Sequence, residues 1–404
     1  MENDISKLVS GKLSSGDIKG AVRILSSDDT ILPFSSETLT KFAAKHPEQP
    51  LDLTLPAGPS DADKSFCYSV EREEVRKCIS RFNPGSGGGH DSLLPQHLKD
   101  ITAESLGMVA NDLLDSLCRF FNEIILPGSV PVNICPAFYG ARLFALSKKD
   151  GGVRPIAVGC TLRRIVAKLC MFKVKTECKS RFLPQQLGVG IPSGAEACIH
   201  SCRKFIKRKH NSPKVFLKVD FRNAFNSLRR DSMLNLIKSN FPGMFPLVWQ
   251  SYSTDANLYF GSDTLLSSTG IQQGDALGPF LFAVGIQALT CKMKSEFNSW
   301  YLDDGSLGGD PEVVLQDYQM IISEGIKLGL ELNPGKCELY PINLHNRTLV
   351  SVVSTFQKTT PEIKLVDSKE LTLLGSPILA ESYNTTMDVK KSRIRKNVDP
   401  YSKH

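Results

Sequence analysis

Two short apolar runs in this chain end in acidic residues. The run "KVFLKVD" alternates apolar and polar side chains, as a partly buried β-strand does, and ends at Asp220. The run "SWYLDDGSLGG" contains Asp303 and Asp304, and its Asp304-Gly305 dipeptide favours a two-residue turn between two strands. We therefore expect three carboxylates at the ends of strands, which restricts how these strands can pair in a sheet.

Carboxylates that converge in this way repel each other, and the pKa of at least one of them rises unless a cation lies nearby. Such acids can bind Mg²⁺, a hard ion that prefers oxygen ligands, and two such ions can assist phosphoryl transfer. A solvated turn is the alternative interpretation, because Asp is also a preferred turn residue. These acids alone favour the solvated turn, so the choice depends on the other motifs of the chain.

The composition restricts the setting in which these acids act. The chain has 404 residues and a net charge of +7, which permits binding to a polyanion without requiring it. Its 11 cysteines include no C-x-x-C pair, and "CIHSC" has no second ligand cluster at zinc-site spacing, so we expect reduced thiols. The N-terminus has no signal pattern, and no apolar run reaches the roughly 18 residues of a membrane span. We expect a soluble, intracellular protein of the nucleus or cytoplasm that is not secreted and binds no membrane.

The predicted secondary structure differs along the chain. Residues 1–60 hold short helical patterns and then a linker that contains Pro and Gly, and residues 61–128 hold amphipathic helices around the Gly-rich loop "NPGSGGGHD". Over 129–380 short apolar strands alternate with helices, and one predicted hairpin has Gly151-Gly152 at its tip. Residues 381–404 form a basic C-terminal tail. The alternation predicts a mixed α/β body of the α+β class.

Seven segments between about residue 85 and residue 378 follow one another in a specific order. They are "GSGGGHDSLLPQHLK", "KKDGGVRPIAV" with "LRRIVAKL", "VDFRNAFNSLRR", "GIQQGDALGPFLF", "YLDD", "LGLELNPGKCEL" and "LTLLGSPI". In these segments the chain resembles the reverse transcriptase domain of non-LTR (LINE-type) retrotransposons. The resemblance implies a right-hand polymerase fold with fingers over 129–213, a palm with an antiparallel sheet over 214–380, and a helical N-terminal extension. About 26 residues follow "LTLLGSPI", so we expect a thumb that is truncated or absent.

The resemblance also implies a metal site. Asp220 and Asp303 match the carboxylates that bridge two Mg²⁺ ions, for which Mn²⁺ can substitute, and the Phe221 carbonyl is a further oxygen ligand. Asp304 is the more distant carboxylate of this site. Lys336, in "NPGKCEL", matches a lysine that protonates or neutralises the pyrophosphate leaving group, although an isolated lysine would be interpreted as a solvated surface residue.

Other matched residues are expected to bind the incoming nucleotide. Phe225 matches a position whose ring lies beneath the sugar and clashes with a 2′-hydroxyl; core packing is the alternative. Gln273 and Gly274 match residues beside the nascent base pair, or else mark only the entry of an apolar helix. Lys148 and Arg154 match fingers residues that reach the triphosphate, a role for which Lys and Arg are suited, or else belong to a solvated basic hairpin.

A basic cluster, "CRKFIKRKH", is expected to hold the phosphate backbone of a template–primer duplex with sequence-independent affinity. Phe205 and Ile206 alternate with charged residues as on an amphipathic helix, and a solvated face is the alternative. The implied partners are an RNA template, a DNA or RNA primer and dNTPs, while protein partners are not indicated. The candidate contacts are Arg203, Lys204, Lys207, Arg208 and Lys209.

Three functions are compatible with these motifs. The first is an RNA-directed DNA polymerase from a C-terminally truncated retrotransposon. The second is a domesticated nucleic-acid-binding protein with weak or no polymerase activity. The third is an RNA-copying polymerase, which Phe225 and "YLDD" disfavour because such an enzyme needs room for the 2′-hydroxyl.

Overall fold

Helices and short strands alternate along the chain in a computed structural model that describes residues 9–14, 16, 18–26, 31–147 and 151–398. The helices are α1 (Ile18–Ser26), α2 (Ser36–Ala43), α3 (Asp61–Ser65), α4 (Arg72–Ser80), α5 (Pro95–Ile101), α6 (Met108–Phe120), α7 (Cys135–Phe138), α8 (Thr161–Phe182), α9 (Gly194–Lys207), α10 (Ala224–Ser227), α11 (Arg230–Asn240), α12 (Phe245–Tyr252), α13 (Gly278–Lys292), α14 (Pro311–Lys327), α15 (Asn346–Thr359) and α16 (Glu381–Val398). The strands are β1 (Ile31–Leu32), β2 (Ala141–Ser147), β3 (Val153–Gly159), β4 (Lys214–Val219), β5 (Phe221–Arg222), β6 (Ala256–Phe260), β7 (Asp263–Ser267), β8 (Phe297–Tyr301), β9 (Asp304–Gly309), β10 (Glu331–Leu332), β11 (Glu338–Ile342), β12 (Lys364–Leu365), β13 (Thr372–Leu373) and β14 (Ser376–Pro377). The predicted mixed α/β class is confirmed.

The first sheet is centred on β2. This strand pairs antiparallel with β3 along its whole length, and its other edge pairs antiparallel with β1 and parallel with β6. β7 completes the sheet beside β6. The predicted hairpin is therefore β2 and β3, whose last paired residues are Ser147 and Val153.

The second sheet has the strand order β12–β11–β4–β9–β8 and is antiparallel except for the pair of β11 and β12. Successive residues of a strand point to opposite faces. In β4, Val215 and Leu217 join the main core, whereas Phe216 joins a smaller core with Phe205 of α9. Both faces of β4 are thus buried, and the strand leaves the sheet at Asp220.

The N-terminal segment packs on this body. β1 pairs with β2, and Phe42 of α2 is fully buried against Phe260, with ring centroids 4.7 Å apart. The predicted linker contains no helix or strand between α2 and α3, and it contacts the body where Trp249 Nε1 donates a hydrogen bond to the Pro56 carbonyl at 3.2 Å. At the other end of the chain, α16 packs against α1.

Two features of composition have structural counterparts. All 11 cysteines are free, as the absence of paired motifs predicts. Among the described residues, no helix is both long enough and apolar enough to cross a membrane.

A buried ion pair joins α8 to the loop that precedes α13. Arg163 Nη2 lies 2.5 Å from Asp275 Oδ2, and the two side chains are only 6% and 4% exposed. Arg163 Nη1 also donates to Gln272 Oε1 at 2.9 Å, and the Tyr252 hydroxyl donates to Asp275 at 2.5 Å. Because each charge has several partners, the pair can remain ionised in the core.

Substitution of Arg163 by Met should destabilise the fold strongly, because Asp275 would keep a buried charge without its cation. We expect a loss of about 3–5 kcal/mol in the free energy of unfolding, measured by urea denaturation. Lys41→Ala, which breaks an exposed pair with Glu37, is the control and should cost less than about 1 kcal/mol. Equal losses for the two variants would contradict this account.

Candidate active site

The pairing of β4, β8 and β9 brings the three predicted carboxylates to one end of the second sheet. Val219 lies opposite Gly305, so Asp220 follows at the position opposite Asp304. In the hairpin, Tyr301 pairs with Asp304, which leaves Asp303 in the connecting loop. Asp220, Asp303 and Asp304 all line one cleft.

The prediction of a turn at Asp304-Gly305 is wrong, because the turn lies two residues earlier in the chain. The loop consists of Leu302 and Asp303, and Leu302 has a left-handed φ of 58°, while Asp304 already belongs to β9. Gly305 is needed for a different reason: a Cβ at this position would stand 2.6 Å from the fully buried Trp300 ring. Tertiary packing therefore overrides the local turn preference of the Asp-Gly dipeptide.

Gln186 holds the tip of this hairpin and was not predicted. Its side chain is fully buried, with Oε1 accepting a hydrogen bond from the Leu302 amide at 2.7 Å and Nε2 donating to the Leu302 carbonyl at 3.2 Å. The amide group thus satisfies both backbone groups of a residue in a left-handed conformation. No local pattern around Gln186 signals this contact, because its partner lies 116 residues away.

The three aspartates repel one another, as the sequence predicts. Desolvation, followed by the charges of Asp303 and Asp220, raises the pKa of Asp304 to about 6, while Lys218 counteracts part of this rise. Lys218 is itself paired with Glu338 at 2.7 Å. We call Asp220, Asp303 and Asp304 the acidic tip. A cation bound there would reduce the charge repulsion that raises the pKa of Asp304.

The cleft has a volume of about 980 Å³ and joins the first sheet to the second. It brings together most of the predicted nucleotide and metal residues, and it adds basic and polar residues that were not predicted. The lining residues are Lys45, Gly152, Val153, Arg154, Pro155, Ile156, Asp220, Phe221, Arg222, Asn223, Ala224, Phe225, Gln273, Asp303, Asp304, Asn333 and Lys336.

Phe225 packs against a helix and also lines the cleft. Its half-buried ring stacks on Phe282 of α13, with centroids 4.7 Å apart and an interplanar angle of 18°, while it also lines the cleft. The Phe225 carbonyl accepts a hydrogen bond from the Ile271 amide at 2.6 Å. The helix thus supports one face of the Phe225 ring. The loop that leads to Gln273 fixes the backbone of Phe225.

Gln273 and Gly274 connect the cleft to β3. The Gln273 carbonyl accepts a hydrogen bond from the Ala157 amide at 2.7 Å. Gly274 has a φ of 122°, and a Cβ there would stand 2.4 Å from the Ala157 carbonyl oxygen. The glycine therefore permits a close approach to the first sheet.

The loop that carries Lys336 is attached to the backbone of Asp220. The Asn333 amide donates to the Asp220 carbonyl at 2.8 Å, and the Lys336 amide donates to the Asn333 carbonyl at 2.9 Å. Asn333, which sequence reasoning did not single out, therefore fixes the distance between the exposed Lys336 and the acidic tip.

The predicted basic cluster lies on and just beyond α9, apart from the residues that line the cleft. Arg203 donates to the Pro377 carbonyl at 2.6 Å, and Arg208 pairs with Glu296. The three lysines of the cluster, Lys204, Lys207 and Lys209, are exposed. The predicted Lys148 lies outside the described residues, whereas Arg154 lines the cleft.

The described residues contain no group of three or more His, Cys, Asp or Glu side chains that is already arranged as a metal cage. Mg²⁺ does not require one, since it is commonly held by one or two carboxylates together with substrate phosphates. Two aspartates from different segments, Asp220 and Asp303, line the cleft and could provide this kind of partial ligand set.

Comparisons with known proteins agree with this geometry. The family of the reverse transcriptase (RNA-dependent DNA polymerase) matches residues 146–378, more than half of the chain. The chain therefore belongs to the reverse transcriptase family, and the predicted resemblance is confirmed.

A retrotransposon protein is among the relatives. The Retrotransposable element SLACS 132 kDa protein of Trypanosoma brucei gambiense is 25% identical over 307 residues, which cover 72% of this chain and 24% of that protein. The chain thus spans about a quarter of the length of this relative.

Two solved telomerase structures also match. Apo telomerase from Candida tropicalis, truncated from its C-terminal domain, has a TM-score of 0.39 and 14% identity over 52% of each chain. Telomerase from Candida albicans in complex with the TWJ fragment of telomeric RNA has a TM-score of 0.40 and 13% identity over 54% of this chain and 45% of that chain.

The raised pKa of Asp304 predicts a pH-dependent stability in the metal-free protein. A carboxyl whose pKa is about 6 in the folded state, above its usual 3.8, binds its proton more tightly when folded. Its ionisation therefore destabilises the fold above pH 6, and this penalty disappears as the pH falls towards 4. In EDTA, Asp304→Asn should raise the melting temperature at pH 7.5, and the gain should vanish near pH 4.

Asp112→Asn, at an exposed position of α6, is the matched control and should show no such pH-dependent gain. A constant difference between Asp304→Asn and the wild type from pH 4 to pH 8 would contradict the assignment.

Proposed function

We propose that the chain is an RNA-directed DNA polymerase that adds deoxynucleotides to a primer 3′-hydroxyl on an RNA template. The observation that carries this proposal is that one cleft is lined by Asp220 and Asp303, by the stacked Phe225 ring and by the basic Arg154. The division into fingers over 129–213 and palm over 214–380 belongs to the same proposal.

The acidic tip fits Mg²⁺, and Mn²⁺ has similar preferences. Asp220 and Asp303 would supply carboxylate oxygens and Phe221 a carbonyl oxygen, all of them hard donors, with Asp304 the more distant carboxylate. When bound, two such ions lower the pKa of the attacking hydroxyl and neutralise charge on the phosphates. The repulsion among these aspartates, which raises the pKa of Asp304, supports a site that binds cations.

Basic side chains would bind and neutralise the negatively charged phosphates of the substrate. Arg154 can contact phosphate oxygens in a bidentate manner, and Lys148, which the sequence assigns to the same hairpin, would provide a second positive charge. Lys336 would donate a proton or a hydrogen bond to the departing pyrophosphate. Its backbone connection to Asp220 through Asn333 supports this role, because it keeps the ammonium group near the site of bond cleavage.

Phe225 and Gln273 would select and orient the nucleotide. The stacked ring of Phe225 cannot easily move away, because Phe282 lies against its face. A ribose 2′-hydroxyl would therefore clash with it, whereas deoxyribose would fit. The Gln273 amide would contact the nascent base pair, and Gly274 would allow its backbone to lie tight against β3.

The exposed Lys204, Lys207 and Lys209 would bind the phosphate backbone of the template–primer duplex, a contact that weakens as the salt concentration rises. Arg203 and Arg208 already have partners within the protein and would contribute less. The relative from a retrotransposable element supports a retrotransposon origin for this polymerase.

A primer-extension assay on an RNA template with Mg²⁺ tests the proposed activity. We expect incorporation of dNTPs by the wild type and a loss of at least about a thousandfold in Asp303→Asn, because removal of a ligand charge disrupts the metal site. Asp310→Asn is the matched control, since Asn preserves the N-cap of α14, and it should leave the rate unchanged.

Template–primer binding without any incorporation by the wild type would contradict the polymerase and favour a nucleic-acid-binding protein. Preferential incorporation of ribonucleotides would instead favour an RNA-copying polymerase.

Phe225→Ala should relax sugar discrimination, because the smaller side chain leaves room for the 2′-hydroxyl. We expect the ratio of kcat/KM for dNTP over rNTP to fall by roughly tenfold to a hundredfold, which corresponds to about 1.4–2.7 kcal/mol of lost discrimination. Phe66→Ala, at an aromatic position that is 75% exposed, serves as the control. An unchanged ratio in Phe225→Ala would contradict the proposed role of the ring.

A further inference from the structure

A lysine from the N-terminal segment lines the catalytic cleft. Lys45 lies two residues after the end of α2 and is half-buried, and it lines the same cleft as Asp220, Phe225 and Arg154. Nothing in the sequence around Lys45 indicates that it belongs near residues that follow it by more than 100 positions. Only the fold brings it there.

The backbone of Lys45 is held by two asparagines of the palm. Asn223 Nδ2 and Asn226 Nδ2 donate hydrogen bonds to the Lys45 carbonyl at 2.8 Å and 2.9 Å. Asn226 is only 3% exposed and also donates to Asn223 Oδ1 at 3.2 Å. Asn223 adopts a left-handed φ of 51°, so a conformation that is uncommon for a non-glycine residue supports this contact.

The helix before Lys45 is also fixed to the fingers. Phe42 is fully buried against Phe260, and the Phe42 carbonyl lies 2.8 Å from His46 Nδ1. β1, just before α2, pairs with β2. Lys45 is therefore anchored through its backbone, which leaves its side chain to reach a ligand in the cleft.

The charge of Lys45 is available for a substrate. On α2, Lys41 pairs with Glu37 at 2.7 Å, whereas the Lys45 ammonium has no ion-pair partner within the described part of the chain. Asn223, an anchor of Lys45, lines the same cleft as Asp220 and Phe225, the ring proposed to face the sugar. A phosphate group attached to that sugar is the anion that this position fits.

We propose that Lys45 binds a phosphate of the incoming deoxynucleoside triphosphate, so that the N-terminal segment completes the nucleotide site. This inference rests on the proposed polymerase function, because it assumes a nucleotide whose sugar faces Phe225. Contact with the phosphate backbone of the template is the competing role, and the experiment below distinguishes the two.

Lysine protection in the full-length chain tests the contact without requiring catalysis. The protein is briefly acetylated with and without dATP in the presence of Ca²⁺ and template–primer, and each lysine is quantified by mass spectrometry. We expect dATP to slow acetylation of Lys45 and Lys336 severalfold, and to leave Lys41 unaffected. Protection of Lys336 without Lys45 would overturn this inference alone.

Two other outcomes have distinct meanings. If dATP protects neither Lys45 nor Lys336, the proposed polymerase site and the inference both fail. If template–primer alone protects Lys45 fully and dATP adds nothing, Lys45 contacts the nucleic acid and the nucleotide assignment is overturned.

Steady-state kinetics provide the second measurement. Lys45→Ala should raise KM for dNTP about tenfold, as expected for the loss of one charge-assisted hydrogen bond, with kcat and template–primer affinity nearly unchanged. Lys45→Arg should restore most of the affinity, and Asn223→Ala should show a smaller rise in KM because it only loosens the anchor. Lys41→Ala is the control and should match the wild type. An unchanged KM in Lys45→Ala would contradict the proposal.

Discussion

The antiparallel pairing of β4 with β9 is the constraint on which the site depends. It sets Val219 opposite Gly305, and this register places Asp220 beside the hairpin that carries Asp303 and Asp304. A shift of one residue would turn the side chains of β4 to the opposite faces and exchange its two cores. Packing of Phe216 on one face and of Leu217 on the other therefore protects the geometry of the carboxylates.

A second constraint connects α8 and the first sheet to the loop that precedes α13. The buried pair of Arg163 and Asp275 fixes the loop that runs through Gln272 to Gln273, and Gln273 then bonds to β3. The cleft is thus lined by a loop whose position is set by a hydrogen-bonded ionic network and not by apolar contacts alone. Such networks give a defined position to the residues they join, although their net contribution to stability is modest when intact.

Local sequence patterns predicted the elements but not their long-range attachments. The strand that ends at Asp220 and the apolar helix α13 follow from alternating and continuous apolar residues, and both are confirmed. The turn assigned to Asp304 was wrong because the preference of Asp-Gly for turns competes with the packing of Trp300. Gln186 and Lys45 could not be predicted, since each acts on residues more than 100 positions away and neither lies in a recognisable motif. Family resemblance, not spacing, selected the catalytic interpretation of the acids.

The central claim is that the acidic tip and the basic walls of the cleft form one site for metal ions and a nucleotide. The most direct test is a crystal structure of the full chain with an RNA template, a chain-terminated DNA primer, a dNTP and Mg²⁺. The account predicts metal density between Asp220 and Asp303, with the triphosphate between that metal and Arg154. A nucleotide bound elsewhere, or a cleft in which these aspartates contact only water, would contradict it.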